Sequence, residues 1–528
     1  MIRIRGPIVP ALALALTLVL ALAACWRGRA SPRQPATSPT VRLSLPIGIQ
    51  SLELEHTYLF WNAEFAKLLF DGLTSTAPDG AVAPGLAQEW SVSSDGRIYR
   101  FRLRTGVRFH DGTRFAAPDV VRAWEEALGH PPGDAAYAWM LEPIAGARDL
   151  AEGRARRLAG VEAVDDSTLV VRLDEPLVLF PMLLSHPRAA VPGAASSPRR
   201  PVGTSPWRWV RGRPGDAEIG LARHRTYWGG QARLDSLVVR VVPDSLQLQA
   251  FREGWIDFTY GVVGHNRTAL RARQDIGLAD QPATGILRLV LDMRQPVFRD
   301  VRVRQALAHA IDVARLSEAV NNGTLAATGT PPGFLGGTSP RPAASYDPVL
   351  ARRLLEEAGY PFERPIRLYV PSSDAAEFPP RLSGLIRDYL AAVGLEVDYH
   401  ESRNNWTAMD EGKADLSLEA WYADYPDADG FLYPMFHGRA AGSGGNPGYF
   451  ADASLDDLIS RSRREPDPAR RLALLRAADA RAADLAPNVF LWHTRIAHAY
   501  SLRLAGWSSQ TYARRFVDLY LPDGAGRR

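Results

Sequence analysis

The sequence predicts an α/β fold, in which strands alternate with helices along most of the 528 residues. Two observations support this prediction. Tyr99, Phe101 and Leu103 alternate with arginines, which is the pattern of a strand with one buried face. In the second half of the chain, segments with helical periodicity are followed by short apolar strands. Strands separated by helices indicate α/β units whose sheets are partly parallel.

The first half of the chain contains few long helical patterns. Residues 40–48 alternate apolar and polar side chains and predict an opening strand, and residues 59–69 predict a helix that ends at Gly72. Residues 169–173 repeat the alternating pattern of a half-buried strand. Residues 181–206 are rich in proline, glycine and serine, which indicates a crossing between two structural units.

The second half contains helices with clear start and stop signals. Asp300 can cap a helix whose apolar face includes Leu307 and Ile311. Asp347 begins a second helix, and Pro348 follows it at the first helical position. The remaining predicted elements are a helix at residues 382–393 and strands at 395–399 and 416–421.

The N-terminal segment has the composition of an export signal. Arg3 and Arg5 precede an apolar run over residues 8–22, and small residues follow before Cys25. A short positive start, an apolar run and small residues in this order predict a secretory signal peptide at residues 1–24. We therefore expect an extracytoplasmic protein, in the periplasm or on the cell surface.

Cys25 is the only cysteine in the chain, so an intramolecular disulfide is excluded. The Leu-Ala-Ala that precedes it resembles the lipobox of bacterial lipoproteins, which predicts lipidation of Cys25 and attachment to the membrane through the acyl chains. An ordinary signal that happens to end in a cysteine is the alternative. Residues 25–40 are rich in Pro, Ser, Arg and Ala, and we expect them to form a flexible tether.

The bulk composition limits the classes of function. Hydrophobic residues make up 46% and charged residues 23% of the chain, as in ordinary globular proteins. The net charge is only +4, and no block of basic residues stands out, which argues against a nucleic-acid partner. After Leu22 no run of apolar residues is long enough for a membrane span.

Five stretches of the chain together resemble one protein family. They are YRFRLR at 99–104 with GVRFHDGT at 106–113, GTSPW at 203–207, VRVRQAL at 301–307 with AID at 310–312, YDP to GY at 346–360, and WYADYPDADGFL at 421–432. In this order they are similar to the extracytoplasmic solute-binding proteins of ABC importers, family 5, the dipeptide-, oligopeptide- and nickel-binding type. Trp207 stands where a tyrosine is more usual.

The resemblance implies a two-lobed fold of the periplasmic-binding-protein type, class II, with an additional small α+β domain in the first lobe. The implied divisions are the first lobe at 41–73, 204–289 and 490–528, the small domain at 74–203, and the second lobe at 290–489. The charged strand at 99–104 falls in the small domain and is expected to be structural. The implied function is capture of a solute, with no catalysis, for an ABC permease and ATPase.

The resemblance also implies the site residues. In peptide binders of this family the aspartate that matches Asp424 pairs with the amino terminus of the ligand. Burial of an ammonium or a carboxylate costs several kcal/mol unless each is paired, so fixed charges must receive the ends of a peptide. Trp421 is expected to form an apolar wall or a cation–π partner, and Trp406 an aromatic pocket wall. A solvated loop carboxylate and core tryptophans are the alternatives.

The partner of a ligand carboxylate is not predicted. Some relatives have an arginine shortly before the Trp-Asp motif, but residues 416–419 are Leu-Ser-Leu-Glu here. Arg403 is a weak candidate. The ligand is therefore expected to be a peptide or another amine-bearing solute, with a nickel chelate, an opine, a sugar or haem as the alternative. We expect no cofactor and a monomer.

Other site types fit the sequence poorly. A calcium loop around Asp424, Asp427 and Asp429-Gly430 fails because Tyr425 and Phe436 would occupy its first and last ligand positions. His-Glu-x-x-His, Gly-x-Ser-x-Gly and phosphate-loop motifs do not occur. An exported lipoprotein hydrolase is the remaining alternative from the enzyme class, and we predict no metal site.

Overall fold

The computed structural model describes residues 40–521 apart from 46–47, 50, 52–53, 55–59, 131–137, 263, 321–324, 328, 340–343, 373–379, 507–515 and 517. Cys25, the predicted signal peptide 1–24 and tether residues 25–39 lie outside the described residues. Thr40, the last residue of the predicted tether, is the first residue of a strand and pairs with Ser236. None of the described helices is long and apolar enough to cross a membrane.

Seventeen strands among the described residues form three sheets. They are β1 Thr40–Leu45, β2 Thr74–Thr76, β3 Val82–Pro84, β4 Ala87–Val92, β5 Ile98–Leu103, β6 Val161–Asp165, β7 Thr168–Arg172, β8 Trp207–Arg211, β9 Glu218–Arg223, β10 Ser236–Val241, β11 Phe258–Thr259, β12 Ile276–Leu291, β13 Leu325–Ala326, β14 Ile366–Pro371, β15 Val397–Ser402, β16 Leu416–Tyr422 and β17 Asn488–Ser501. The largest sheet has the order β15-β14-β16-β12-β17-β11-β1-β10-β9-β8, with β13 paired to β17.

Fourteen α-helices lie among the described residues. They are α1 Phe60–Leu69, α2 Ala117–Ala127, α3 Ala147–Ala151, α4 Phe180–Leu183, α5 Gln247–Arg252, α6 Gly264–Arg271, α7 Val301–Ala310, α8 Val313–Val320, α9 Pro348–Glu357, α10 Pro380–Ala392, α11 Asn405–Asp410, α12 Asp429–Phe436, α13 Ala453–Arg464 and α14 Pro468–Leu485. The result is the mixed α/β architecture that the sequence predicts.

The first lobe is built on β1, which pairs in parallel with β10 on one side and β11 on the other. Its side chains Val41 and Leu43 are buried in a core with Phe65 of α1, Leu237 of β10 and Phe258 of β11. The buried Val41, Leu43 and Leu45 alternate with Thr40, Arg42 and Ser44, which is the period-two pattern that the sequence predicts for this strand.

The small domain contains the four-stranded antiparallel sheet β4-β5-β7-β6. Tyr99, Phe101 and Leu103 of β5 are buried, whereas the intervening Arg100 and Arg102 are exposed. The period-two prediction for this strand is therefore confirmed, and its arginines lie on the solvent side. Trp124 of α2 covers the domain core and donates from Nε1 to the Ala189 carbonyl, 3.0 Å away.

The second lobe surrounds the parallel strands β14, β15 and β16. Antiparallel β12 continues this sheet beside β16. One face of the sheet packs on α7, α9 and α10 through an apolar core that includes Leu368, Leu418, Leu307, Leu355 and Ile386. The helical faces at 301–310, 348–357 and 380–392 thus agree with the expected periodicity.

Aspartates cap several helices of the second lobe. Asp300 accepts a hydrogen bond from the Arg302 backbone amide at 2.9 Å, and Asp347 accepts one from Leu350 at 2.8 Å. Such caps satisfy amide groups that have no partner inside the helix, at about 1 kcal/mol each. The predicted starts of α7 and α9 are correct because they depend only on residues close in sequence.

Two long strands connect the lobes. β12 and β17 are antiparallel partners at the middle of the large sheet, where β12 also pairs with β16 of the second lobe and β17 also pairs with β11 of the first lobe. Their register shifts between Pro282 and Ile286, which produces a bulge in the pairing. The proposed lobe boundaries at 289/290 and 489/490 fall inside these continuous strands, because the lobes share strands instead of being joined by loops.

Candidate functional site

The predicted site residues lie at the carboxyl ends of parallel strands. β16 ends at Tyr422, directly before Ala423 and Asp424, and α11 with Trp406 follows the end of β15. In open α/β sheets, ligands bind in the crevice beyond the carboxyl ends of the strands. The Ala423 backbone amide donates to the Thr284 carbonyl at 2.9 Å, which ties this loop to the β12 bulge between the lobes.

Trp406 and Trp421 lie together at this edge of the second lobe. Their ring centroids are 6.4 Å apart, and the rings are inclined by 32°. Trp421 Nε1 donates to the Gly430 carbonyl at 2.8 Å, and Trp406 Nε1 donates to Glu419 Oε2 at 2.9 Å. Both indole N–H groups are thus satisfied within the protein, and the half-buried rings can offer apolar and cation-binding faces.

Asp424 is a carboxylate without a hydrogen-bond donor among the described residues. Its side chain keeps only 29% of its full exposure. Desolvation raises the pKa of Asp424 to about 7, and the charge of Lys67 opposes this shift. An unpaired carboxylate in such surroundings gains strongly from a cation that enters with a ligand.

The first lobe and the small domain present two further residues to Asp424. His186 Nε2 lies 3.8 Å from Asp424 Oδ1, and its side chain is only 5% exposed. Lys67 of α1 exerts a Coulombic effect on both Asp424 and His186, and its Nζ is paired with Glu64 Oε1 at 2.5 Å. The structure therefore brings Lys67 of α1 and the imidazole of His186, from two distant parts of the chain, to the surroundings of Asp424.

Behind the tryptophans lies a buried pair of opposite charges. Glu419 is directly opposite Arg288 in the β12–β16 register, and both side chains are almost fully buried. Ser417 Oγ and Trp406 Nε1 both donate to the Glu419 carboxylate. Desolvation raises the pKa of Glu419 to about 7, although Arg288 opposes the shift, and burial lowers the pKa of Arg288 to about 10.

The other acidic residues of the loop are held by arginines. Asp427 receives two hydrogen bonds from Arg471, and Asp429 receives one from Arg463 Nη1 at 2.5 Å. Tyr425 Oη also donates to Asp429, at 2.7 Å. No cluster of three or more metal-binding side chains occurs in the described part of the chain. These carboxylates hold the loop to α13 and α14.

Contacts across the cleft join the second lobe to the small domain. The Tyr425 ring is buried in the small-domain core, 6.1 Å from the ring of Trp139. The Val178 amide donates to the Arg463 carbonyl at 2.9 Å. Glu175 forms ion pairs with Arg439 and Arg464. The described residues on the two sides of Asp424 are thus in direct contact, as in a closed arrangement.

Asp424, Trp421 and Trp406 are predicted from the sequence, whereas the residues that the structure places near Asp424 are not. His186, Lys67 and Glu64 belong to segments that no motif marks. The rarity of lysine is the one available signal, because Lys67 is one of only two lysines in the chain. Arg403, the weak candidate for a carboxylate partner, is exposed and has no described ion-pair or hydrogen-bond partner.

Comparisons with known proteins agree with this architecture. Residues 81–443 match the family described as bacterial extracellular solute-binding proteins, family 5 Middle. Di/tripeptide-binding protein 2 of Pseudomonas aeruginosa is 28% identical over 94% of this chain and 96% of that protein. Heme-binding protein A of Haemophilus influenzae is 28% identical over 78% of this chain and 79% of its own length.

Among solved structures, the chain is similar to the ABC transporter-associated periplasmic binding protein DppA from Helicobacter pylori in complex with the peptide STSA. The TM-score is 0.80 at 23% sequence identity, over 91% of this chain and 98% of that chain. At this identity the likeness establishes the two-lobed fold, and it agrees with the α/β architecture described above.

Proposed function

The chain belongs to the family 5 bacterial extracellular solute-binding proteins, and on this premise we propose that it captures short peptides or related amine-bearing solutes for an ABC importer. The ligand's ammonium pairs with Asp424, and Trp421 and Trp406 supply the adjoining walls. The observation that carries the proposal is the Asp424 carboxylate, which is largely buried, faces the opposite lobe and accepts no hydrogen bond from a described residue.

The energetics of Asp424 favour a cationic ligand. A carboxylate that leaves water without a partner loses hydration, and its pKa rises as a result. A ligand ammonium restores the lost stabilisation through a charge-assisted hydrogen bond, which is about twice as strong as a neutral one. The same group would repel an anion. An acyl group on the ligand's amine removes its positive charge and should therefore abolish most of the affinity that the ammonium gains from Asp424.

The two tryptophans favour a ligand that is recognised in part by its shape, through contact with their aromatic faces. Trp421 is anchored by the Gly430 carbonyl and Trp406 by Glu419, so neither indole needs a polar contact from the ligand. A binder of diverse peptides recognises the fixed termini and backbone and accommodates side chains by apolar and water-filled surfaces. Two oriented aromatic faces beside one carboxylate suit this mode.

The cellular part of the proposal rests on the N-terminal sequence. Leu-Ala-Ala-Cys at residues 22–25 supports a lipoprotein anchored outside the cytoplasm through Cys25. Permease and ATPase subunits of an ABC importer are the proposed protein partners, and a monomer is the proposed functional unit. Labelling with a palmitate analogue tests the anchor, because Cys25→Ser should abolish incorporation and release the protein from the membrane.

The binding experiment is titration calorimetry with a panel of di- and tripeptides headed by dialanine and trialanine, with glutathione and haemin included. We expect an amine-bearing ligand to bind and to be recovered unchanged. Asp424→Asn should weaken binding at least tenfold, by about 1.4 kcal/mol or more. Asp388→Asn is the matched control, since Asp388 is an exposed residue of α10 at the surface. Unchanged affinity in Asp424→Asn would exclude this carboxylate from the site.

A further inference from the structure

His186 occupies a junction in the fold. It lies between α4 and the short 3₁₀ turn Pro187–Ala189, where the core of the small domain meets that of the first lobe. The side chain caps this turn, because His186 Nδ1 accepts a hydrogen bond from the Arg188 backbone amide at 3.1 Å. Its position is therefore fixed by a local interaction that involves only one of its two ring nitrogens.

This cap determines the protonation of the ring. A nitrogen that accepts a hydrogen bond carries no proton, so the neutral imidazole must carry its proton on Nε2. Burial and the charges of Lys67 and Arg188 lower the pKa of His186 well below its usual range. The neutral form with an Nε2–H group is therefore the stable state.

The Nε2–H group lies near the Asp424 carboxylate of the other lobe. Nε2 and Asp424 Oδ1 are 3.8 Å apart, which is too long for a hydrogen bond but closes with a small movement. Lys67, a cation that acts on Asp424, already has Glu64 as a partner. His186 can thus orient the carboxylate by an N–H group and add no positive charge that would compete with the ligand.

We propose that His186 is a positioning and specificity-determining residue for the amine site: its neutral Nε2–H group holds one oxygen of Asp424 and leaves the other oxygen of the still-anionic carboxylate free for the ligand's ammonium. This inference rests on the proposed function. In this tautomer Nε2 has no free lone pair, so His186 cannot accept a hydrogen bond from the ammonium and acts through Asp424. The amine site is complete only when the two lobes meet.

Two conservative substitutions separate this role from a purely structural one. Asparagine places its carbonyl oxygen near the position of Nδ1, so His186→Asn retains the cap of the turn and removes the group facing Asp424. Glutamine places its amide near the position of Nε2, so His186→Gln retains the donor and removes the cap. If His186 only caps the turn, His186→Gln should weaken ligand binding. If His186 positions Asp424, His186→Asn should weaken it instead.

Calorimetry with trialanine and N-acetyl-trialanine tests the prediction. His186→Asn should weaken trialanine binding about tenfold, the loss expected for one hydrogen bond to a charged group, and should leave N-acetyl-trialanine unaffected. His186→Gln should restore trialanine affinity to within about threefold of the unmodified protein. Because His186 acts through Asp424, the double variant His186→Asn/Asp424→Asn should bind no more weakly than Asp424→Asn alone.

The outcomes distinguish this inference from the proposed function. If the wild-type chain binds no member of the peptide panel, or if Asp424→Asn binds as the wild type does, the proposed function fails. If Asp424→Asn weakens binding while His186→Asn has no effect, or affects both trialanine forms equally, only the role of His186 is overturned. Equal losses in His186→Asn and His186→Gln, with additive effects of Asp424→Asn, would likewise assign His186 a purely structural role.

Discussion

Glu419 and Trp406 show how one residue can organise another at the site. Trp406 Nε1 donates to Glu419, and Ser417 donates to the other carboxylate oxygen. The buried Arg288 opposite balances the negative charge. The Glu419 oxygens therefore face the indole and the serine hydroxyl. It holds a wall of the site in place.

We expect Glu419→Ala to release Trp406 from its fixed orientation. Loss of Glu419 leaves the Arg288 charge buried without its opposite charge, so the free energy of unfolding should fall by about 3–5 kcal/mol. Glu419→Gln keeps an acceptor for Trp406 and should cost less. Near-ultraviolet circular dichroism and tryptophan fluorescence report the indole environment, and unaltered spectra in Glu419→Ala would contradict this assignment.

The raised pKa of Asp424 also predicts a pH-dependent stability. Between about pH 4 and pH 7 the folded chain retains a proton on Asp424 that the unfolded chain has lost. The unfolding free energy therefore falls as pH rises through this range, and the destabilisation is full above pH 7. Asp424→Asn should make the ligand-free protein more stable by about 1–2 kcal/mol at pH 8 and have little effect at pH 4.

Denaturant unfolding of both proteins at pH 4 to 8 measures this difference. Comparison with the variant at each pH largely cancels the contributions of buried histidines such as His186, whose lowered pKa acts in the opposite direction. A difference between the two proteins that does not vary with pH would show that Asp424 has an ordinary pKa. A gain in stability with a loss in binding would identify a residue retained for function.

At the scale of elements, the bulge in β12 links the site loop to the strands shared by the lobes. Gly285 pairs with Tyr422, the last residue of β16, and the preceding Thr284 accepts a hydrogen bond from Ala423. A Cβ atom on Gly285 would lie 2.3 Å from Thr494 Oγ1 and 2.6 Å from the Tyr422 ring. Glycine is therefore required for the close approach of three strands.

Gly285→Ala should displace Tyr422 or Thr494 and disturb both fold and site. We expect a loss of about 1–3 kcal/mol in unfolding free energy, together with weaker ligand binding. Gly384→Ala is the control, since its Cβ would meet no atom within 4 Å inside α10. Replacement of a helical glycine should stabilise the protein by up to about 1 kcal/mol. Wild-type behaviour of Gly285→Ala would contradict the close approach.

At the scale of the whole molecule, ion pairs at the rim help hold the two sides of the cleft together. Glu175 of the small domain contacts Arg439 and Arg464 of the second lobe, and all three side chains remain partly exposed. Exposed ion pairs contribute about 0–1 kcal/mol each and are screened by salt. These ion pairs are therefore strong enough to favour a closed cleft and weak enough to allow it to open.

We expect Glu175→Gln to accelerate ligand dissociation by about two- to fivefold at low salt, because opening no longer breaks these pairs. The difference should shrink at 0.5 M NaCl. Glu162→Gln is the control, since Glu162 pairs with Arg172 inside the small domain. Stopped-flow tryptophan fluorescence gives the rates. Equal dissociation rates for Glu175→Gln and the wild type at low salt would exclude the rim pairs from closure.

Local sequence signals were sufficient for much of the fold. The alternation around Phe101, the caps at Asp300 and Asp347 and the apolar helical faces each depend on residues within a few positions of one another. Local sequence signals do not define the boundaries between the lobes, because β12 and β17 are continuous strands with the same sequence pattern in both lobes. Nothing in a continuous strand marks the point where it passes between lobes.

The sequence by itself determined the α/β class, the resemblance to a solute-binding family and the presence of Asp424, Trp421 and Trp406 in one region, because these follow from periodicity and from contiguous motifs. Only the tertiary structure decided what faces Asp424. His186 and Lys67 come from segments far from the loop in sequence and lie near Asp424 only in the folded chain. Desolvation of the carboxylate, and hence its demand for a cation, is a property of that packing.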